Sequence, residues 1–141
     1  MGNRVKKLLV VDDDLIDAHF VMRAFADVGG GVEIIHVMDS DVAAARLAGE
    51  TFDYVLLDIN MPGMNGIDLL RRIRTDTRTA ILPVIMLTSS MNPSDVYTSY
   101  ASGANAYTLK PSSIGDYKKF AEGFTRFWLD VSVHPYEHKS I

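Results

Sequence analysis

LLVVDDD, residues 8–14, sets four apolar residues directly against three consecutive carboxylates. An unbroken apolar run of this length suits a strand buried on both faces, because a half-exposed strand would alternate apolar with polar residues. The aspartates mark where such a strand leaves the core. Four similar runs recur at residues 32–37, 54–57, 84–87 and 106–109, and longer segments with apolar residues three and four apart lie between them. Strands alternating with helices predict an α/β domain whose parallel sheet is covered on both sides. The reading is a doubly wound sheet of five strands with five helices.

The first helix is read over residues 15–28, with Ala18, Val21, Met22, Phe25 and Val28 as its buried stripe and Gly29-Gly30-Gly31 as its stop. The last is read over residues 113–129, with Tyr117, Phe120, Ala121, Phe124 and Trp128 facing the sheet. A chain of 141 residues fits one domain of ordinary size, and its 48% hydrophobic content supplies a core and excludes wholesale disorder. The net charge of −4 and the lack of a Lys/Arg cluster argue against a nucleic-acid partner. No apolar run approaches the ~20 residues needed to cross a bilayer, and no basic-then-apolar leader opens the sequence. No membrane association and a cytoplasmic location are therefore expected. With no cysteine, disulfides, thiolate metal sites and thiol nucleophiles are all excluded, so chemistry falls to carboxylates, hydroxyls, Lys or His.

Ligands of open parallel sheets bind beyond the carboxyl ends of the strands. That edge collects Asp12, Asp13 and Asp14 after the first strand, Asp58 after the third, Thr88 at the end of the fourth and Lys110 after the fifth. Taken singly, each has an ordinary explanation as a helix starter, a strand end or a solvated charge; taken together they describe a site. Carboxylates held within ~4–6 Å of one another raise each other's pKa unless an opposite charge sits among them. A divalent cation provides that charge, and Mg2+ is the expected one: it favours carboxylate oxygens and phosphoryl groups, while no His or Cys cluster points to zinc. Lys110 adds a fixed positive charge and Thr88 a hydroxyl donor. A cation, an ammonium and a hydroxyl around one free carboxylate form a receptor for a phosphoryl group in transfer, with Asp58 as nucleophile.

LLVVDDD, YVLLDINMPGMNG, VIMLTSS and AYTLKP, in this order and spacing, resemble the successive signatures of the receiver domain of bacterial two-component response regulators over about residues 6–125. The resemblance implies a flavodoxin-like fold with strand order 2-1-3-4-5. It makes Asp58 the phosphoacceptor, Thr88 the hydroxyl switch, Lys110 the cation that meets the phosphoryl group and Tyr107 the switch aromatic, for which strand burial is the plain alternative. It assigns one Mg2+ to Asp13, Asp58 and the backbone carbonyl of Asn60, with Asp12 reaching the ion through water, and it implies a cis bond at Lys110-Pro111. Ser89, Ser90 and Asn60 fall where the family tunes hydrolysis of the phosphoryl group. The expected function is that of a stand-alone response regulator accepting a phosphoryl group from a sensor histidine kinase and switching its partners, catalysing its own modification without being an enzyme of other substrates. FWL at residues 127–129, with the tail beyond it, further resembles the small response regulators paired with bacterial phytochrome kinases, which makes a bacteriophytochrome the expected kinase.

Two other classes stay in view. A haloacid-dehalogenase-type phosphatase would use Asp12 and Asp14, but it leaves DINMPGMNG without a role; a flavodoxin-like flavin carrier would have its phosphate repelled by three carboxylates. A phosphorylation-independent interaction module is the third possibility. Kinase docking is expected on the first helix at Ile16 and Phe20, which fall opposite its buried stripe beside His19 and Arg23. Beyond a receiver domain of residues 1–129, Leu129, Val131 and Val133 alternate with polar residues before Pro135, the pattern of an extended arm over residues 130–141. The expected assembly is a homodimer in which Phe127, Trp128, Val131, Val133 and Tyr136 reach onto the partner. A frayed terminus, or an arm folded back on its own domain, is the plain alternative.

Overall fold

A computed structural model describes residues 5–137. Five parallel strands, β1 (Lys6–Val11), β2 (Val32–Val37), β3 (Tyr54–Leu57), β4 (Val84–Thr88) and β5 (Ala106–Leu109), form one sheet in the order β2-β1-β3-β4-β5. β1, β3 and β4 occupy its middle, and Leu9 pairs with Ile35 on one side and Val55 on the other. The apolar runs at residues 8–11, 54–57 and 84–87 are buried throughout, as a strand covered on both faces requires, while the outer strands β2 and β5 are only partly covered. The helices are α1 (Leu15–Val28), α2 (Ser40–Gly49), α3 (Gly66–Thr75), α4 (Pro93–Ala101) and α5 (Ile114–Phe124). One core layer packs Ala43 and Leu47 of α2 and Ile67, Leu70 and Ile73 of α3 against Leu9, Val55 and Met86. On the other face Val21 and Phe25 of α1 and Tyr117, Ala121 and Phe124 of α5 cover Leu8, Val10, Leu56 and Ile85. No helix among the described residues is long and apolar enough to cross a membrane.

Local chemistry fixes where the helices start. Asp14 adopts extended backbone geometry and accepts the N–H groups of Ile16 and Asp17 on its side chain, while Gly29 ends α1 in the left-handed region at φ +70°. The third aspartate of the opening motif is thus a helix cap. Gly66 begins α3 so close to β3 that a Cβ there would fall 1.9 Å from the Asp58 carbonyl oxygen. Only glycine allows that approach, and its N–H donates to the Ile59 carbonyl at 2.9 Å.

The stripe of α1 departs from expectation at Met22, which is exposed; Ala24 is buried instead. Met22 sits ~100° around the helix from Val21 and so falls off the covered face. A larger departure lies beyond Phe124. Instead of continuing as an α-helix to residue 129 and then extending from residue 130, the chain winds through a π-helical segment, Thr125–Val131, closed by the Ser132 N–H on the Phe127 carbonyl at 2.7 Å. Aromatic packing accounts for the continued winding: Trp128 lies against Tyr54 and Phe124, and the Tyr54 hydroxyl donates to the Trp128 carbonyl at 2.9 Å. Residues 132–137 then fold back on the same chain. His134 is buried and donates from Nε2 to the Asp53 carbonyl at 2.6 Å, while its Nδ1 accepts the Tyr136 N–H at 3.0 Å. Tyr136 packs on the core layer of α2 and α3, and Lys6 pairs with Glu137. Residues 138–141 of the expected arm, Ile141 among them, lie outside the described residues.

Candidate acidic site at the sheet edge

β1 and β3 stop side by side, with the Asp58 N–H on the Val11 carbonyl at 3.0 Å, so Asp12, Asp13 and Asp58 emerge together from the middle of the sheet. Carboxylate oxygens of these three residues lie within 4.8 Å of one another. Asp12 and Asp58 are buried, at 3% and 5% exposure, and Asp13 is open to solvent. The His36 ring on β2 fixes the Asp12 backbone, donating from Nε2 to its carbonyl at 2.7 Å. Asp12 Oδ1 also accepts the Asp14 N–H at 2.9 Å. Asn60 is exposed in the loop after β3, and its N–H reaches Asp58 Oδ1 at 3.4 Å.

Lys110 is carried into this cluster from the end of β5. Its Nζ lies 2.9 Å from Asp12 Oδ2, 2.9 Å from Asp58 Oδ2 and 2.8 Å from Asp17 Oδ2. Burial alone would lower the Lys110 pKa, but the hydrogen bonds it donates to Asp17, Asp58 and Asp12 reverse the sign and hold the ammonium firmly protonated. Burial raises the Asp12 carboxyl to about 6, against the opposing pull of the Asp14 N–H and Lys110. Thr88 ends β4 fully buried, and its Oγ1 accepts the Ser90 N–H at 3.4 Å. Tyr107, in β5, is partly buried against the core and donates its hydroxyl to the Ser90 carbonyl at 2.8 Å. Burial chiefly raises its pKa, so the phenol stays a donor.

The structure therefore brings Asp12, Asp13, Asp58 and Lys110 together and sets Thr88 and Tyr107 on a common loop residue. Hard oxygen donors of this number suit Mg2+, and the cluster fits such an ion through Asp12, Asp13 and Asp58. Asp14 faces away as the cap of α1, which removes it from the acidic pair that a dehalogenase-type phosphatase needs. The Lys110–Pro111 bond is trans where a cis bond was expected, the isomer an X-Pro peptide ordinarily prefers. On α1, Ile16 is exposed as predicted, but Phe20 is only partly so: its ring packs 5.4 Å from that of Tyr117 on α5. Three residues of the site escaped sequence reading, namely Asp17, His36 and Tyr117, whose hydroxyl donates to Asp17 Oδ1 at 3.3 Å. At the far end of α5, Phe127, Val131 and Val133 are exposed, Trp128 is half-buried, and Tyr136 lies on its own domain.

Comparison with known proteins matches residues 8–122 to the response regulator receiver domain. The chemotaxis protein CheY of Pseudomonas aeruginosa is 35% identical over 105 residues, covering 74% of this chain and 84% of its own. The response regulator Rcp1 of Synechocystis is 29% identical over 142 residues, covering 95% and 96% of the two chains. The crystal structure of Rcp1 in its Mn2+-bound form superposes with a TM-score of 0.83, over 92% of this chain and 99% of that one. The phosphorylated cyanobacterial phytochrome response regulator RcpA is 28% identical with a TM-score of 0.85, over 92% and 98%.

Proposed function

We propose, from the premise that this chain belongs to the response regulator receiver domain family, that it accepts a phosphoryl group on Asp58 from a sensor histidine kinase and in doing so changes its own interactions. The observation that carries this reading is the buried Asp58 carboxylate held 2.9 Å from the Lys110 ammonium at the carboxyl end of the sheet, beside two further aspartates. In-line attack by an Asp58 oxygen on phosphorus would form the P–O bond as the donor's phosphohistidine P–N bond breaks and the kinase imidazole leaves, with the phosphoryl group's negative charge on oxygens that Lys110 can reach. Asp12, Asp13, Asp58 and the Asn60 carbonyl would hold Mg2+, which neutralises charge on the same oxygens. Thr88 and Tyr107 are the switch residues, and the protein acts in the cytoplasm as a signal carrier that catalyses its own modification. Kinship with RcpA supports a phytochrome kinase as the donor.

Kinase docking belongs on the exposed start of α1 at Leu15 and Ile16, with Phe20 beneath as support for the α1–α5 contact. A homodimer built on Phe127, Trp128, Val131 and Val133 completes the reading, because these side chains leave an apolar face open to solvent or half-buried at one end of the molecule. Small acyl phosphates should serve as donors, since the site supplies the electrostatics. Incubation with acetyl phosphate and Mg2+, followed by phosphate-affinity electrophoresis, is expected to give one shifted species that chelator and Asp58→Asn both abolish. A shift that survives either treatment overturns the assignment.

A further inference from the structure

The three N–H groups of the Lys110 ammonium are all committed, one each to Asp12, Asp17 and Asp58. Two of these acceptors belong to the acidic cluster where a cation would sit. A divalent ion held there would compete with Lys110 for the Asp12 and Asp58 oxygens, and phosphorylation would turn an Asp58 oxygen into the bridging oxygen of an acyl phosphate. Asp17 stands outside that cluster, in the first turn of α1. Its Oδ2 faces Lys110 while its Oδ1 accepts the Tyr117 hydroxyl, and Tyr117 is buried in α5. Burial, reinforced by the Asp17 charge, raises the Tyr117 pKa, so that hydroxyl remains a donor. Asp17 is thus fixed from two helices and is the one acceptor of Lys110 that chemistry at Asp58 leaves undisturbed.

We infer that Asp17 is a positioning residue: it holds Lys110 Nζ beside Asp58 while Asp12 and Asp58 exchange partners, so the remaining N–H groups stay aimed at the phosphoryl oxygens. A lysine stem of four carbons has many rotamers, and without a fixed acceptor the ammonium is free to follow water out of the site. The inference rests on the receiver reading. Removing the Asp17 charge has a second effect of opposite sign, since it lowers the negative potential met by an incoming phosphoryl anion. Positioning predicts slower transfer in Asp17→Asn; charge alone predicts faster transfer.

The experiment measures the phosphorylation rate of the full chain against acetyl phosphate concentration at saturating Mg2+. Asp17→Asn is expected to lower the limiting rate by about tenfold, less than the roughly hundredfold that a ~1 Å misplacement of a catalytic group can cost, with half-saturating donor unchanged. Tyr117→Phe, which removes only the hydroxyl holding Asp17, should give a smaller loss of the same kind. In a Lys110→Met background, Asp17→Asn should cost nothing further. An unchanged or faster rate in Asp17→Asn overturns the inference, as does an undiminished further loss without Lys110. A second readout needs no transfer: with Mg2+ alone, the Lys110 ammonium should give a slowly exchanging 15N NMR signal in the wild type that is lost in folded Asp17→Asn. Equal protection in both proteins overturns the inference as well. Should the wild type take no phosphoryl group at Asp58, it is the receiver reading that fails, and the ammonium signal still decides the role of Asp17.

Discussion

Ser90 is held from both ends, its N–H by the Thr88 hydroxyl and its carbonyl by the Tyr107 hydroxyl. On the proposed function, a phosphoryl group on Asp58 would add about −2 of charge near Thr88 and compete for that hydroxyl, so that a change at Thr88 would pass through one residue to Tyr107. Thr88→Ala and Tyr107→Ala are accordingly expected to leave phosphorylation of Asp58 intact and to remove a phosphorylation-dependent change in partner affinity on the order of tenfold. Titration of the partner against phosphorylated and unmodified protein checks this, and an undiminished change in either variant would show the coupling to be wrong. The residues of this site that the sequence displays are those at strand ends, because an unbroken apolar run announces where its strand stops. Asp17 carries no such signal: its bond to Lys110 spans 93 positions, and an acidic residue in the first turn of a helix is ordinary. The same holds for His36, which reads as one more residue of a strand until its ring is seen on the Asp12 carbonyl.

Between elements, Arg74 joins more backbone than its place near the end of α3 would suggest. Its guanidinium donates to the carbonyls of Gly103, Ala80 and Leu82 at 2.9, 3.2 and 2.7 Å and to the Asn105 side chain at 2.9 Å, tying α3 to the approaches of β4 and β5. Lysine cannot replace this fork, having one nitrogen where several acceptors are spread apart. Arg74→Ala is expected to cost about 2–3 kcal/mol, and Arg74→Lys nearly as much, since partly buried carbonyls are left without a charged donor. Urea titration with an unchanged m-value checks this; a loss below about 0.5 kcal/mol, the range of ordinary surface substitutions, would mean water replaces the guanidinium. Strands and helix starts are readable from local pattern, because periodicity and caps are local properties. The π-helical segment after α5 is not, because its winding depends on Trp128 meeting Tyr54, a residue 74 positions away. Phe20 was misplaced for a related reason: an isolated α1 does not reveal that α5 supplies Tyr117 to cover it.

At the scale of the whole molecule, two surfaces face different solvent. The acidic edge gathers four aspartates around the single ammonium of Lys110, whereas the end of α5 presents Phe127 at 52%, Val131 at 66% and Val133 at 78% exposure. Apolar side chains grouped in this way favour a symmetric partner. Light scattering is therefore expected to give twice the chain mass for the full-length protein and the single mass for a chain ending at Leu129. Because that truncation also removes buried His134, Val131→Asp with Val133→Asp is the second comparison, leaving the folded-back segment in place. Equal masses for all three proteins would show that this face is not what joins two chains.

β3 has four residues, with Asp58 just beyond its upper end and Tyr54, against which His134 packs, at its foot. At ~3.3 Å per residue Asp58 and Tyr54 are about 13 Å apart. The strand between them is buried along its whole length and bonded to β1 and β4 on either side, so it cannot slide like a piston. On the proposed function, news of a phosphoryl group would leave sideways, through β4 and β5, rather than down this strand to the folded-back tail. Whatever that tail fastens would then be the protein's constant hardware, present before a signal arrives and after it has decayed.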